Sequence, residues 1–169
     1  MKNLYLIRHA KSSWKLPLDD HKRPLKKRGI SDAILVSEHL KNLVPKPDVL
    51  LTSDAKRASS TAIYFKKAFD IKSDCFLINK SLYDFQGKNV LSVIKGLNNF
   101  FDIVVIVGHN HALTSVANLL GDIAINDLPT CGFVNIEFAT DNWRFANYGQ
   151  TKNIVFPRDL RPKKQRYVN

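Results

Sequence analysis

The segment "DIVVIV", residues 102–107, limits the fold more than any other part of the chain. After its first aspartate it is continuously apolar and rich in β-branched residues. A strand of that kind is covered on both faces, as in a parallel sheet clothed by helices. The remaining sequence supplies the parts. "NLYLI", "DVLLT" and "CFLI" are further short apolar runs. Between them lie stripes at helical spacing: Ala33, Val36, Leu40 and Leu43; Ala58, Ala62, Phe65 and Phe69; Val90, Ile94, Leu97 and Phe101. Leu113, Val116, Ala117 and Leu120 give a fourth stripe after the key strand, and Pro45 with Pro47 ends the first helix. "FVNIEF" and "WRFANY" alternate with period two across "ATDN", which predicts a hairpin at a sheet edge. Four strand–helix repeats predict a three-layer α/β/α fold with a mainly parallel central sheet, right-handed crossovers and a C-terminal edge hairpin.

A chain of 169 residues suits one domain, here residues 1–157, followed by a basic tail at 158–169. No apolar run approaches a membrane span, and "MKNLYLIRHA" lacks the form of a signal peptide, so a cytoplasmic protein without a membrane partner is expected. Cys75 and Cys131 have no metal-ligand spacing and read as buried free thiols. The sequon at Asn79 then carries no meaning, since it needs a secretory context. The formal net charge of +11 favours anionic partners. The basic residues are dispersed apart from "HKRPLKKR" and the tail "RDLRPKKQRYVN", and no nucleic-acid-binding signature accompanies them, so nucleic acid is not the expected partner.

Ligands of open α/β sheets bind beyond the carboxyl ends of the strands. There the first strand delivers Arg8 and His9. The second delivers Thr52 and Ser53, with Arg57 on the next helical turn. The third leads to Tyr83 and Asp84, and the fourth to Gly108, His109 and Asn110. Two arginines and two histidines from distant segments therefore meet at one edge. Arginine presents paired donors that match phosphate oxygens and stays charged. A neutral histidine is a nucleophile near pH 7, and a second can hydrogen-bond the same oxygens. Amides opening the helix after Asn110 add donors for an anion. Phosphoryl transfer asks for little more than positioning and charge stabilisation. No acidic cluster or paired-histidine motif points to a metal or other cofactor.

"LIRHAKSSW", "TSDAKRASSTA" and "VGHN" resemble the three signature segments of the histidine phosphatase (phosphoglycerate mutase-like) superfamily. "RHAKSSW", "RPLKKRG" and "PRDL" resemble its short phosphohistidine phosphatase, or SixA-like, branch. The resemblance implies a covalent phosphohistidine on His9, a phosphate pocket of Arg8, Arg57 and His109, and release of phosphate by water. It implies no cofactor. Two positions depart from the pattern: Asp54 and His111 stand where many members have proline. His111 reads as solvent-facing or capping. Larger relatives use an acid to protonate an alcohol leaving group. The nearest candidate here is Asp84, which reads as a cap or surface group more readily than as a proton donor. A site without an acid suits phosphoramidates such as phosphohistidine, and no sequence remains for a lid domain, which suits a phosphorylated protein substrate. Small phosphorylated molecules, with Asp84 as acid in a general phosphomonoesterase, and a non-catalytic polyanion or nucleotide binder are the alternatives. Lys11, Ser12 and Ser13 either contact the substrate, Lys11 and Ser13 foremost, or only turn the chain. Trp14 and Trp143 are expected to pack, and His21 and His39 to lie at the surface.

Overall fold

The computed structural model describes residues 1–163. Its six strands are β1 (Lys2–Arg8), β2 (Val49–Thr52), β3 (Phe76–Ile78), β4 (Ile103–Gly108), β5 (Phe133–Phe138) and β6 (Gln150–Val155). The helices are α1 (Lys27–Leu43), α2 (Lys56–Ala68), α3 (Lys88–Lys95), α4 (Ala112–Leu120) and α5 (Pro157–Leu160). The strands form one sheet in the order β3-β2-β4-β1-β5-β6. The first four strands are parallel, whereas β5 runs antiparallel to β1 and β6 antiparallel to β5.

Alternate residues of the central strands feed two cores. Tyr5, Ile7, Val105 and Val107 pack with Ala33, Val36 and Leu40 of α1 and Ala58, Ala62 and Phe65 of α2. Leu4, Leu6, Val104 and Ile106 pack on the opposite face with Val90 and Ile94 of α3 and Leu113 and Val116 of α4. The three-layer α/β/α arrangement follows from strands buried on both sides.

Two sequence expectations need correction. The partner of β5 is Gln150–Val155, not "WRFANY", which holds a 3-10 turn at Trp143–Phe145. Trp143 is fully buried, and its Nε1 donates to Phe101 O at 2.8 Å, so the indole is a core anchor and leaves the ladder. The third helix ends at Lys95, because Gly96 follows; Leu97 and Phe101 still pack on the core from outside the helix. The segment predicted as a tail begins inside α5, which packs on α1, and Arg161 pairs with the buried Asp32. Residues 164–169 of that tail lie outside the described residues. Cys75 is half-buried and Cys131 buried, both free. Among the described residues no helix is long and apolar enough to cross a membrane.

Candidate active site

Strands β1 and β4 are adjacent and in register, with Arg8 opposite Gly108. They therefore release Arg8-His9 and Gly108-His109 side by side. His9 N donates to Gly108 O at 3.0 Å, and Ser53 N, leaving β2, donates to Val107 O at 3.0 Å. Three strand ends are thus stitched together by backbone hydrogen bonds. On the far side, Cys131 N donates to the carbonyls of Arg8 and His9.

The His9 ring is held at both nitrogens. Nδ1 lies 2.8 Å from Ala10 O, an acceptor, so the proton belongs on Nδ1. Nε2 is then the basic nitrogen, and Arg57 Nε donates to it at 3.3 Å. Thr61 Oγ1 ties the same parts together: it accepts from Ala10 N at 2.9 Å and donates to Arg57 O at 2.7 Å. Burial, opposed by the Ala10 carbonyl and reinforced by the charges of Arg57, Arg8 and Arg23, lowers the His9 pKa to about 3. The imidazole is neutral at pH 7.

His109 is fully buried, with its ring centroid 5.3 Å from that of His9. Burial, and then the neighbouring His9 and Arg57, lower its pKa to about 3 as well. Its Nε2 lies 2.8 Å from Ser53 Oγ, which also accepts from Ala55 N. The serine proton is therefore free to go to Nε2, an assignment that leaves Nδ1 as a donor without a partner among the described residues. Arg8 also carries an unpartnered buried donor, Nε, while its Nη1 donates to Leu128 O at 2.8 Å and lies 3.8 Å from Asp127. Tyr83 and Phe85 close the His109 ring from the side, each centroid 5.2 Å away.

Sequence reasoning missed Asp20 and Arg23. Asp20 accepts from Arg57 at its carbonyl (2.6 Å) and at Oδ2 (2.8 Å), from Tyr83 OH at Oδ2 (2.7 Å), and from Arg23 Nε at Oδ1 (3.0 Å). Arg57 is buried, and its two terminal nitrogens face Asp20 while Nε faces His9. Partial burial pushes the Asp20 carboxyl up, but the hydrogen bonds of Tyr83, Arg57 and Arg23 outweigh it and hold the pKa at about 2. Arg23 is itself buried and donates to Ser12 Oγ at 2.6 Å. The only sequence signal was the "RPLKKRG" segment, in which Arg23 had no role assigned.

The other predicted positions are placed as follows. Asp84 is buried, and its carboxylate accepts from the amides of Gln86, Gly87, Asn89 and Val90. Burial raises its pKa, but these four amides outweigh it and lower it, so Asp84 ties the turn before α3 as a carboxylate with no proton to give. Lys11 is exposed, and among the described residues Ser13 Oγ accepts from Lys15 N alone. His111 is exposed, 3.8 Å from Asp127. Asn110 Oδ1 accepts from Thr114 N, capping the first turn of α4. Trp14 is exposed and does not join the core; the Arg23 guanidinium stacks on it at 3.5 Å. His21 lies 3.2 Å from Asp54 and packs edge-on to Tyr83. Among the described residues no group of three or more His, Cys, Asp or Glu is placed to hold a metal ion.

A buried neutral histidine ringed by arginines at the ends of parallel strands defines a protein that handles phosphoryl groups. Comparison with known proteins gives the class a family. Residues 4–102 match the profile of the Histidine phosphatase superfamily (branch 1). An uncharacterized chloroplastic protein of Arabidopsis thaliana is 32% identical over 158 residues, covering 86% of this chain and 70% of its own. The chain belongs to the histidine phosphatase superfamily and is a histidine-type phosphatase. Its fold matches that of the protein histidine phosphatase SixA complexed with tungstate, with TM-score 0.80, 18% identity, and coverage of 94% of this chain and 99% of that one. A mycobacterial glucosyl-3-phosphoglycerate phosphatase shares the fold at TM-score 0.65 and 12% identity, covering 90% of this chain and 97% of its own.

Proposed function

We propose that the chain is a metal-independent phosphohistidine phosphatase that works through a phosphohistidine on His9 and acts on a phosphorylated protein. The observation that carries this reading is the double anchoring of His9. Nδ1 is tied to Ala10 O, and the basic Nε2 stands 3.3 Å from Arg57 Nε. The lone pair of Nε2 attacks phosphorus as the bond from phosphorus to the leaving group breaks. Arg57 Nε, Arg8 Nε and His109 Nδ1 supply donors to the equatorial oxygens, and Arg8, Arg57 and Arg23 supply positive charge in place of a metal. Water then attacks phosphorus, the bond to Nε2 breaks, and inorganic phosphate leaves with His9 neutral again.

The phosphoramidate preference rests on Asp84. Four amides hold it as a carboxylate, and Asp20 stays ionised against two arginines, so neither is an acid for a departing alkoxide. A phosphohistidine protonated on its other ring nitrogen leaves as neutral imidazole, the electron pair of the broken phosphorus–nitrogen bond becoming the lone pair of the bridging nitrogen, and needs no such acid. The reading is tested with a panel of phosphoramidates and alkyl phosphates at fixed salt, with EDTA and with His9→Ala. Turnover of phosphoramidates at least tenfold faster, insensitive to EDTA and abolished by His9→Ala, is expected. Equal turnover of alkyl phosphates, or an active His9→Ala protein, overturns it.

A further inference from the structure

Behind the His9 strand end lies a second concavity, a cavity of about 210 Å³ lined by Lys11, Arg28, Asp32, Thr130, Arg158 and Arg161 together with Pro129 and Pro157. Four cations face it from three separate segments: the loop after β1, the first turn of α1, and α5 with the residue that follows it. Its one carboxylate, the buried Asp32, is spent on Arg161. Among the described residues the one carboxylate near Arg158 is its neighbour Asp159, at 3.9 Å across an exposed pair, and its guanidinium lies 5.1 Å from the Phe156 ring centroid. Among the described residues neither Lys11 nor Arg28 has a carboxylate partner. Like charges gathered around a concave surface repel one another, and an anion in their midst relieves the repulsion.

The lining of the cavity is continuous along the chain with residues that hold the candidate active site. Lys11 is two residues beyond His9, so their Cα atoms are at most about 7.6 Å apart. Pro129 and Thr130 lie between Leu128, whose carbonyl holds Arg8, and Cys131, whose amide holds the carbonyls of Arg8 and His9. Gly29 lets the first turn of α1 press against the Lys11 backbone, which brings Arg28 beside the loop that follows His9.

We infer that this cavity is an anion subsite that takes a second oxyanion, phosphate or carboxylate, of a molecule whose phosphoryl group sits at His9. The anion binding follows from the cavity alone; its role in substrate choice rests on the phosphatase reading. The ligand chemistry fits an acidic side chain near a phosphorylated residue, or the second phosphate of a small bisphosphate.

The test compares the wild type with an Arg28→Glu, Arg158→Glu double variant, two exposed positions outside the catalytic constellation. The first arm titrates hexaglutamate, which carries no phosphoryl group, at fixed low salt. Binding weakened at least tenfold in the variant is expected; equal binding, or none to either protein, overturns the subsite. The second arm measures kcat/KM for phosphohistidine peptides with neutral or glutamate flanks, and for a sugar monophosphate and bisphosphate. A wild-type preference of about tenfold for the doubly anionic member of one pair, lost in the variant while the singly anionic member is unaffected, supports the subsite and says which source it serves. A preference that survives the double substitution overturns its role in substrate choice. Failure of every substrate with hexaglutamate binding intact would instead count against the phosphatase reading and leave the anion site standing.

Discussion

Replacing Gly29 with alanine tests how tightly the site depends on the loop that follows His9. Gly29 sits in the first turns of α1, where it is buried against Lys11. A Cβ there would overlap the Lys11 carbonyl oxygen and stand 2.9 Å from Lys11 N and 3.0 Å from its carbonyl carbon. Non-bonded carbons rest at about 3.5–4.0 Å and the overlap with the Lys11 oxygen is deeper than that with its carbonyl carbon, so the loop must retreat by roughly 1 Å or more. It cannot do so freely, because Lys26 N and Ser13 N tie it to the segment before α1. Overpacking of this kind costs about 1–3 kcal/mol. For a domain of this length that lowers Tm by roughly 2–4 °C per kcal/mol. The displacement passes to His9, two residues upstream, and a misplacement near 1 Å can cost up to about 10²-fold in rate. Calorimetry and kcat/KM on a phosphoramidate are the assays. Gly96→Ala is the control, since its Cβ would meet only Ser92 O at 3.4 Å and Val93 O at 3.8 Å. A Gly29→Ala protein with unchanged Tm and kcat/KM, or equal losses at both glycines, would refute the reasoning.

Asp20→Asn keeps the shape of the Arg57 clamp but removes its charge. A charge-assisted hydrogen bond is worth about 1.5–3 kcal/mol, and the partial exposure of Asp20 places the loss at the low end, roughly tenfold in kcat/KM; an unchanged value removes Asp20 from the account. Asp84→Asn should lower Tm through its four amides while sparing turnover of phosphoramidates; a selective loss on alkyl phosphates with Tm unchanged would make it the missing acid. For pH, an unfolded histidine titrates near 6.5, whereas His9 and His109 titrate at about 3 in the fold. The unfolded chain therefore binds more protons between those values, and stability falls as pH drops below 6.5, by roughly 2 kcal/mol per histidine at pH 5. Denaturant titrations with His109→Gln as comparison check this, and a wild type no more acid-sensitive than the variant contradicts it.

Strands β1 to β5 and the positions of Arg8, His9, Arg57 and His109 beyond them were legible because apolar, largely β-branched runs and the basic residues that follow them are local signals. "DIVVIV" and "NLYLI" lie side by side in the fold, and that adjacency brings His9 to His109. Asp20 and Arg23 were not legible as a clamp, since their segment has no hydrophobic period and its purpose appears only in contact with Arg57, 37 residues on. Strand β6 was missed for a related reason. It is an edge strand whose Gln150 and Lys152 face solvent, so its apolar signal is thin, whereas "WRFANY" carries a strong alternation that serves the buried Trp143. Asp84 was visible as a cap near the site, but which amides it holds appears only with the start of α3 in place.

The central claim is that His9 Nε2 takes the phosphoryl group. Rapid-quench labelling with a radiolabelled phosphoramidate, followed by peptide mapping under alkaline conditions, tests it most directly. The account predicts a transient acid-labile phosphate on the peptide that contains His9, absent in His9→Ala and formed faster than steady-state turnover. Turnover with no label on that peptide, or label on His109 in its place, would contradict it.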